Sequence, residues 1–158
     1  MTISSDPRQW QVGMLGYGEV GRILAEDLRQ QGIKVAAYDI KLDRGQGAPL
    51  RAHAAETGVV LAESHADLAA RADLIISAVT ASPAVAVAEA CAPAIGKGAW
   101  FLDFNSASPG AKQRAAESVA DPDLCAHRVV EHCPRHLSED DADHEEQAEQ
   151  QHAVGRKG

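Results

Sequence analysis

Short apolar runs alternate with amphipathic stretches over the first 120 residues of this 158-residue chain. The runs have the length of strands, and they occupy residues 10–15, 33–38, 59–61, 74–79 and 100–104. The stretches between them carry helical signals, and they occupy residues 19–31, 50–56, 64–70, 82–95 and 108–119. This alternation predicts an α/β fold, a doubly wound parallel sheet with helices on both faces. Residues 74–79 are almost entirely apolar, so we expect that strand at the centre of the sheet.

The helices carry signals for their ends and for their inner faces. Ser82-Pro83 and Ser108-Pro109 each place a capping hydroxyl before a proline at the first helical position. Gly32 is the expected stop of the first helix. That helix has four apolar residues at helical spacing, which we expect to face the core: Val20, Ile23, Leu24 and Leu28.

A glycine-rich turn follows the first strand and opens the first helix, with the sequence Gly16-Tyr17-Gly18-Glu19-Val20-Gly21. Gly16 permits the tight turn, Gly18 lets the backbone approach a phosphate, and Gly21 lets the helix pack closely on the strand. The helix N-terminus can hold a pyrophosphate without a basic side chain, because it adds unpaired N–H groups and partial positive charge. No lysine follows as in a triphosphate-binding loop, so we predict a Rossmann-type site for a dinucleotide, NAD or NADP.

Asp39 ends the second strand at the spacing where a carboxylate accepts hydrogen bonds from the adenosine ribose. A carboxylate there repels a 2′-phosphate and therefore favours NAD. Lys41 and Arg44 are near enough in sequence to keep NADP open as an alternative. Asp39 could also simply end a strand in a polar turn, but strands, glycines and helix together make that interpretation the weaker one.

Two further loops are expected at the same edge of the sheet as the glycine turn. Residues 79–82 follow the fourth predicted strand, and residues 105–108 follow the fifth. These loops supply hydroxyl groups and an amide but no evident acid or base. We therefore expect them to line the nicotinamide end of a cofactor rather than to transfer protons.

Composition excludes several other classes of function. The net charge of -8 argues against a broad nucleic-acid surface, which needs a basic face. The first residues lack the basic and apolar regions of a secretion signal, and no apolar run approaches bilayer length. We therefore expect a cytoplasmic protein with no membrane partner. Its three cysteines, Cys91, Cys125 and Cys133, fit reduced thiols, with Cys91 as a core residue.

With these loops placed, the chain resembles the N-terminal NAD-binding domain of the 6-phosphogluconate dehydrogenase and 3-hydroxyacid dehydrogenase superfamily. The resemblance covers residues 10–120, and its most specific part is Asn105-Ser106-Ala107-Ser108-Pro109-Gly110. It implies hydride transfer between a β-hydroxyacid and NAD or NADP. It also implies a set of cofactor-binding residues: Gly16, Tyr17, Gly18, Glu19, Val20 and Gly21 at the pyrophosphate, Asp39 at the ribose, Val79 and Thr80 along the cofactor, and Asn105 with Ser106, the latter near nicotinamide and substrate.

Enzymes of this superfamily continue with a glycine-rich substrate loop, a long helix carrying a catalytic lysine and an asparagine, and an all-helical domain. None of the lysines here has that setting: Lys34, Lys41, Lys97, Lys112 and Lys157. Hydride transfer from an alcohol needs a group that takes the hydroxyl proton. We therefore expect cofactor binding with little or no turnover, unassigned catalytic residues, and a hydroxyacid substrate only if a helical domain completes the site. The alternatives are a non-catalytic redox-sensing module and a degenerate, truncated protein.

The composition changes near residue 121, and five of the seven histidines lie beyond it. We expect a flexible N-terminus over residues 1–8, a dinucleotide-binding domain over 9–120 and a low-order acidic tail over 121–158, with one possible strand at Val129-Val130. Zinc binding by His127, His132, Cys133 and His136 is a weaker alternative, because their spacing matches no closed site; we predict no metal. A frameshift or truncation near residue 121 is the interpretation we favour, because the domain pattern stops before the fold is complete.

Overall fold

Six parallel strands form one sheet in the computed structural model, which describes residues 3–120 and the backbone of residues 128–131. The strands are β1 (Gln11–Leu15), β2 (Lys34–Tyr38), β3 (Val60–Leu61), β4 (Leu74–Ser77), β5 (Trp100–Asp103) and β6 (Arg128–Glu131). The α-helices between them are α1 (Glu19–Gln30), α2 (Ala48–Thr57), α3 (His65–Arg71), α4 (Ala84–Cys91) and α5 (Pro109–Val119). Short 3-10 turns cover Pro7–Gln9, Ile40–Leu42 and Ala92–Ala94.

The strand order is β3-β2-β1-β4-β5-β6, which confirms the predicted doubly wound α/β fold. The chain builds outward from β1 to β3 on one side and then returns to the centre to build β4, β5 and β6 on the other. The direction of winding therefore reverses between β1 and β4, and ligands of such sheets bind at this switch point, beyond the carboxyl ends of the strands. β6 contains the predicted strand at Val129-Val130 and pairs in register with β5, so the sheet extends past residue 120.

The core lies on both faces of the central strands, as expected for a parallel sheet covered by helices. Met14, Leu15 and Ile75 are fully buried in β1 and β4. α3 packs directly on β1, because a Cβ atom on Gly13 would approach Leu68 Cδ2 to 2.7 Å. Cys91 is fully buried, which confirms its expected place in the core, and burial raises the pKa of its thiol to about 12.

The inner face of α1 differs from the prediction. Val20 and Ile23 are 56% and 55% exposed, so the expectation that both face the core is wrong. The buried residues of this helix are Gly21 and Ala25, which are the two smallest residues in it. Small residues let the helix axis approach the sheet closely, and the larger apolar side chains are displaced to the flanks.

Several ends of elements also differ from the sequence-based bounds. β4 ends at Ser77, two residues earlier than predicted, and this leaves Ala78 and Val79 in the following loop. Ser82 is not the N-cap of α4, because the helix begins at Ala84 with Pro83 as the capping residue. The second Ser-Pro signal is confirmed, since Ser108 caps α5 and its hydroxyl accepts from the Ala111 N–H.

Candidate cofactor site

A cavity of about 240 Å³ lies at the carboxyl ends of β1, β2 and β4, at the switch point of the sheet. Its walls come from the loops that follow these strands, from the first residue of α3 and from the start of α4. Five of the predicted cofactor residues line it together: Gly16, Gly18, Asp39, Val79 and Thr80. The structure thus joins residues 64 positions apart in one cleft, as expected for a doubly wound sheet.

The three glycines of the turn have different surroundings. Gly16 has a φ of +86°, and a Cβ atom there would lie 2.6 Å from the carbonyl oxygen of Ala78. A Cβ atom on Gly21 would overlap the carbonyl oxygen of Gly16. A Cβ atom on Gly18, in contrast, would meet nothing within 4 Å. Gly16 and Gly21 are therefore required by the packing of the protein itself, whereas Gly18 faces open space that a ligand can fill.

Gly18 is also the N-cap residue of α1, and it lacks a side chain that could cap the helix. The first intrahelical hydrogen bond runs from the Arg22 N–H to the Gly18 carbonyl over 3.0 Å. By helix geometry the N–H groups of residues 18–21 have no partner within the helix. Their partial positive charge favours an anion. The open space beside Gly18 and these N–H groups together fit a pyrophosphate.

Asp39 connects the end of β2 to the glycine turn. Its Oδ2 accepts a hydrogen bond from the Tyr17 N–H, and its Oδ1 accepts one from the Lys41 N–H, both over 2.9 Å. Each carboxylate oxygen has two lone pairs, so both retain a site for a further donor such as a ribose hydroxyl. Asp39 therefore holds the turn in place and can still bind a ligand.

Tyr17 contributes to the turn through its backbone, because its side chain is fully buried away from the cleft. Its hydroxyl lies 2.7 Å from Nδ1 of His53, and burial raises its pKa. His53 Nε2 lies 3.8 Å from a carboxylate oxygen of Glu26. His53 and Glu26 line a separate cavity of about 350 Å³ between α1 and α2, and the glycine turn is not part of this cavity.

Asn105 is the centre of a buried polar network between β4 and β5. Its Oδ1 accepts from the Val79 N–H over 2.7 Å, and its Nδ2 donates to the Ser77 hydroxyl over 3.0 Å. The Asn105 N–H donates to Asp103 Oδ1 over 2.7 Å, and Lys112 Nζ lies 3.8 Å from that carboxylate oxygen. The side-chain amide of Asn105 is thus buried and bonded to the protein at both ends, and it fixes the loop that carries Val79.

The remaining predicted residues surround the cleft without lining it. Glu19 and Val20 are exposed on the first turn of α1, Gly21 is buried against the glycine turn, and Ser106 is exposed beside the buried Asn105. Sequence reasoning did not single out His65, which is the first residue of α3 and lines the cavity. Its position after β3 was the available signal, because loops that follow strands β1 to β4 share one edge of the sheet.

The described residues contain neither a metal-binding cluster of three or more His, Cys, Asp or Glu residues nor a helix that could cross a bilayer. The weaker zinc alternative involves His127, His132, Cys133 and His136, all of which lie outside the described residues.

Residues 11–126 match the family model described as the NAD binding domain of 6-phosphogluconate dehydrogenase. A conserved hypothetical protein from Sinorhizobium meliloti 1021 is 31% identical with a TM-score of 0.69, over 79% of this chain and 40% of that one. A conserved protein described as structurally similar to 3-hydroxyacid dehydrogenases is 25% identical with a TM-score of 0.61, over 77% and 42% of the two chains. The 3-hydroxyisobutyrate dehydrogenase of Mycobacterium tuberculosis is 20% identical with a TM-score of 0.63, over 77% and 39%, and shares the fold.

No curated protein matches this chain significantly. These three solved structures extend well beyond the matched region, and this chain spans about 40% of the length of the first of them.

Proposed function

Because this chain belongs to the family of 6-phosphogluconate dehydrogenase NAD-binding domains, we propose that it binds NAD as the cofactor-binding part of a β-hydroxyacid oxidoreductase. The observation that carries this proposal is the open space at Gly18, at the N-terminus of α1 and within the switch-point cleft. That position offers backbone N–H groups and a helix dipole to a pyrophosphate. A nicotinamide dinucleotide supplies the hydride acceptor once it is bound there.

The choice of NAD over NADP rests on Asp39. Its carboxylate lines the cleft beside the glycine turn and retains acceptor sites for ribose hydroxyls. A 2′-phosphate at the same place would meet that negative charge directly. Lys41 also lines the cleft and partly offsets the repulsion, so we expect a preference for NAD rather than an absolute exclusion of NADP.

The proposed reaction is hydride transfer between a 3-hydroxyacid and NAD, with the proton acceptor supplied from outside residues 3–120. Lys112 is buried on α5, but its side-chain nitrogen lies 3.5 Å from the carbonyl oxygen and 3.8 Å from a carboxylate oxygen of Asp103. Lys112 is only 8% exposed, so these contacts hold its side-chain nitrogen within the protein. It is therefore suited to fixing the β5 loop rather than to accepting a proton from substrate.

Calorimetric titration with NADH tests the proposed binding. Calorimetry is preferable to tryptophan fluorescence, because Trp10 precedes β1 and Trp100 begins β5, both at the edge of the sheet opposite the cleft. We expect saturable binding at one site, tighter for NADH than for NADPH. The absence of any heat of binding at millimolar NADH, from protein shown to be folded, would overturn the proposal.

The incomplete reaction is tested by incubating the chain with NAD and a panel of 3-hydroxyacids while NADH absorbance is followed. We expect no NADH formation above a protein-free control, because the acid-base groups that line the cleft among residues 3–120, including Asp39 and His65, lie at its proposed adenosine end. Hydroxyacid-dependent turnover that disappears with the Gly18→Ala variant would show that the chain carries its own acid-base group.

A further inference from the structure

His65 occupies the adenosine end of the cleft, although no part of the proposed binding site requires a histidine there. It is the first residue of α3, a helix fixed by the Ser64 hydroxyl, which accepts from the Asp67 N–H over 3.0 Å. The imidazole packs edge to face on Tyr38, with ring centroids 4.7 Å apart. Tyr38 directly precedes Asp39, so the ring of His65 lies next to the residue that chooses between ribose hydroxyls and a 2′-phosphate.

The charges around His65 come from the end of β2 and the turn that follows it. Asp39 and Asp43 both act on the imidazole, while Lys41 lines the same cavity. The uncharged residues Val87 of α4 and Pro83, which caps this helix, also line the cavity.

Cys91 is the last residue of α4, and its thiol contacts the backbone carbonyl of His65 rather than the imidazole ring. The two aspartates raise the pKa of His65, but burial is the larger influence and lowers it. The ring is therefore neutral at neutral pH and gains its proton at a lower pH than an unperturbed imidazole does.

We propose that protonation of His65 changes the cofactor preference of this site, from NAD in neutral and alkaline solution toward acceptance of NADP in acid. This inference rests on the proposed function. A neutral imidazole leaves the repulsion between Asp39 and a 2′-phosphate uncompensated. An imidazolium adds a second cation to Lys41 in the same cavity, and it can also donate a charge-assisted hydrogen bond to phosphate.

The expected size of the effect follows from the partial exposure of the site. One charge pair in such a setting changes an equilibrium constant by about fivefold. We therefore expect the ratio of Kd for NADPH to Kd for NADH to fall between about pH 8 and about pH 5.5, by about fivefold once the imidazole is fully protonated, beyond any change that the cofactor itself causes.

The cofactor contributes because a phosphate monoester gains a proton near pH 6. The matched control is His65→Gln, which keeps a polar side chain but removes the titration. The experiment measures Kd for NADH and NADPH by calorimetry at both pH values in the wild type and in this variant. We expect the ratio of the two Kd values in the variant to show only the change due to phosphate protonation.

A second variant, His65→Lys, places a permanent charge at the same position. At about pH 8 we expect this variant to have the lowered ratio of Kd for NADPH to Kd for NADH that the wild type reaches only in acid. The inference would be overturned if this ratio of Kd values changed with pH by the same factor in the wild type and in His65→Gln. It would also be overturned if the ratio at about pH 8 were the same in His65→Lys as in the wild type. Failure of the folded wild type to bind either nucleotide would instead overturn the proposed function.

Discussion

Replacing Gly18 by alanine should separate cofactor binding from folding. The added Cβ atom meets no protein atom within 4 Å, and the backbone φ of -76° is ordinary for an L-amino acid. Alanine is a poorer N-cap than glycine by about 0.5–1 kcal/mol. It also restricts the unfolded chain, which returns about 0.4–1 kcal/mol. The net change in the free energy of unfolding should therefore stay within about 1 kcal/mol.

Binding should respond quite differently, because the new methyl group enters the space that the pyrophosphate needs. Separating the phosphates from two backbone N–H groups removes hydrogen bonds to a charged group, each worth about 1.5–3 kcal/mol. A loss of about 3 kcal/mol corresponds to a Kd for NADH that is about 100-fold weaker. The same substitution at Gly21 should behave in the opposite way, since its Cβ atom would overlap the Gly16 carbonyl. Overpacking of that kind costs about 1–3 kcal/mol of stability.

Urea unfolding and NADH calorimetry on the same preparations provide the two measurements. Gly96→Ala is the matched control, because its Cβ atom also meets nothing within 4 Å but lies among the residues of a separate cavity, with Ile3 and Lys97. We expect Gly96→Ala to keep both stability and NADH affinity. Wild-type NADH affinity in Gly18→Ala would refute the reasoning, and so would an equal loss of affinity in Gly96→Ala.

Three further outcomes follow from the buried groups. Asn105→Ala leaves the Val79 N–H without its partner and should lower the free energy of unfolding by about 1–3 kcal/mol in urea, with weaker NADH binding; unchanged stability would contradict the network. The Tyr38 hydroxyl donates a hydrogen bond to Asp43, and this bond raises the pKa of Tyr38 to about 12. The unfolded chain therefore loses the Tyr38 proton at a lower pH than the folded chain does. Stability should therefore fall from about pH 10 to about pH 12, and less steeply in Tyr38→Phe. Cys91 should resist iodoacetamide in native protein and react in urea, as read by peptide mass spectrometry, because burial suppresses its thiolate.

The sheet was predictable because its signals are local. The apolar runs have strand length, and each glycine or Ser-Pro boundary concerns residues that are adjacent in sequence. The failure at α1 has a physical reason of its own. A prediction from amphipathic spacing assumes that the largest apolar residues face the core, but in α1 the residues that face the core are Gly21 and Ala25. Val20 and Ile23 consequently point to the flanks, and no pattern of hydrophobicity indicates this.

The cleft was predictable in part, to the extent that topology alone brings residues together. The glycine turn and Asp39 follow from spacing within one βαβ unit. The role of Asn105 does not, because its amide bonds to Val79 and Ser77 across 26 and 28 positions of the sequence. An exposed amide in a loop and a buried one that joins two strands have the same appearance in a sequence.

The hydrogen bond from the Tyr17 N–H to Asp39 has a consequence for any attempt to alter cofactor preference. The carboxylate that we propose to bind ribose and the turn that we propose to bind phosphate form one preassembled unit, so that little ordering has to accompany ligand capture. A substitution that removes the carboxylate to admit NADP would also release the turn, and affinity for both nucleotides would fall. Conversion should therefore proceed through Asp39→Asn, which discards the charge and keeps one acceptor for the Tyr17 N–H, although it gives up the hydrogen bond from the Lys41 N–H.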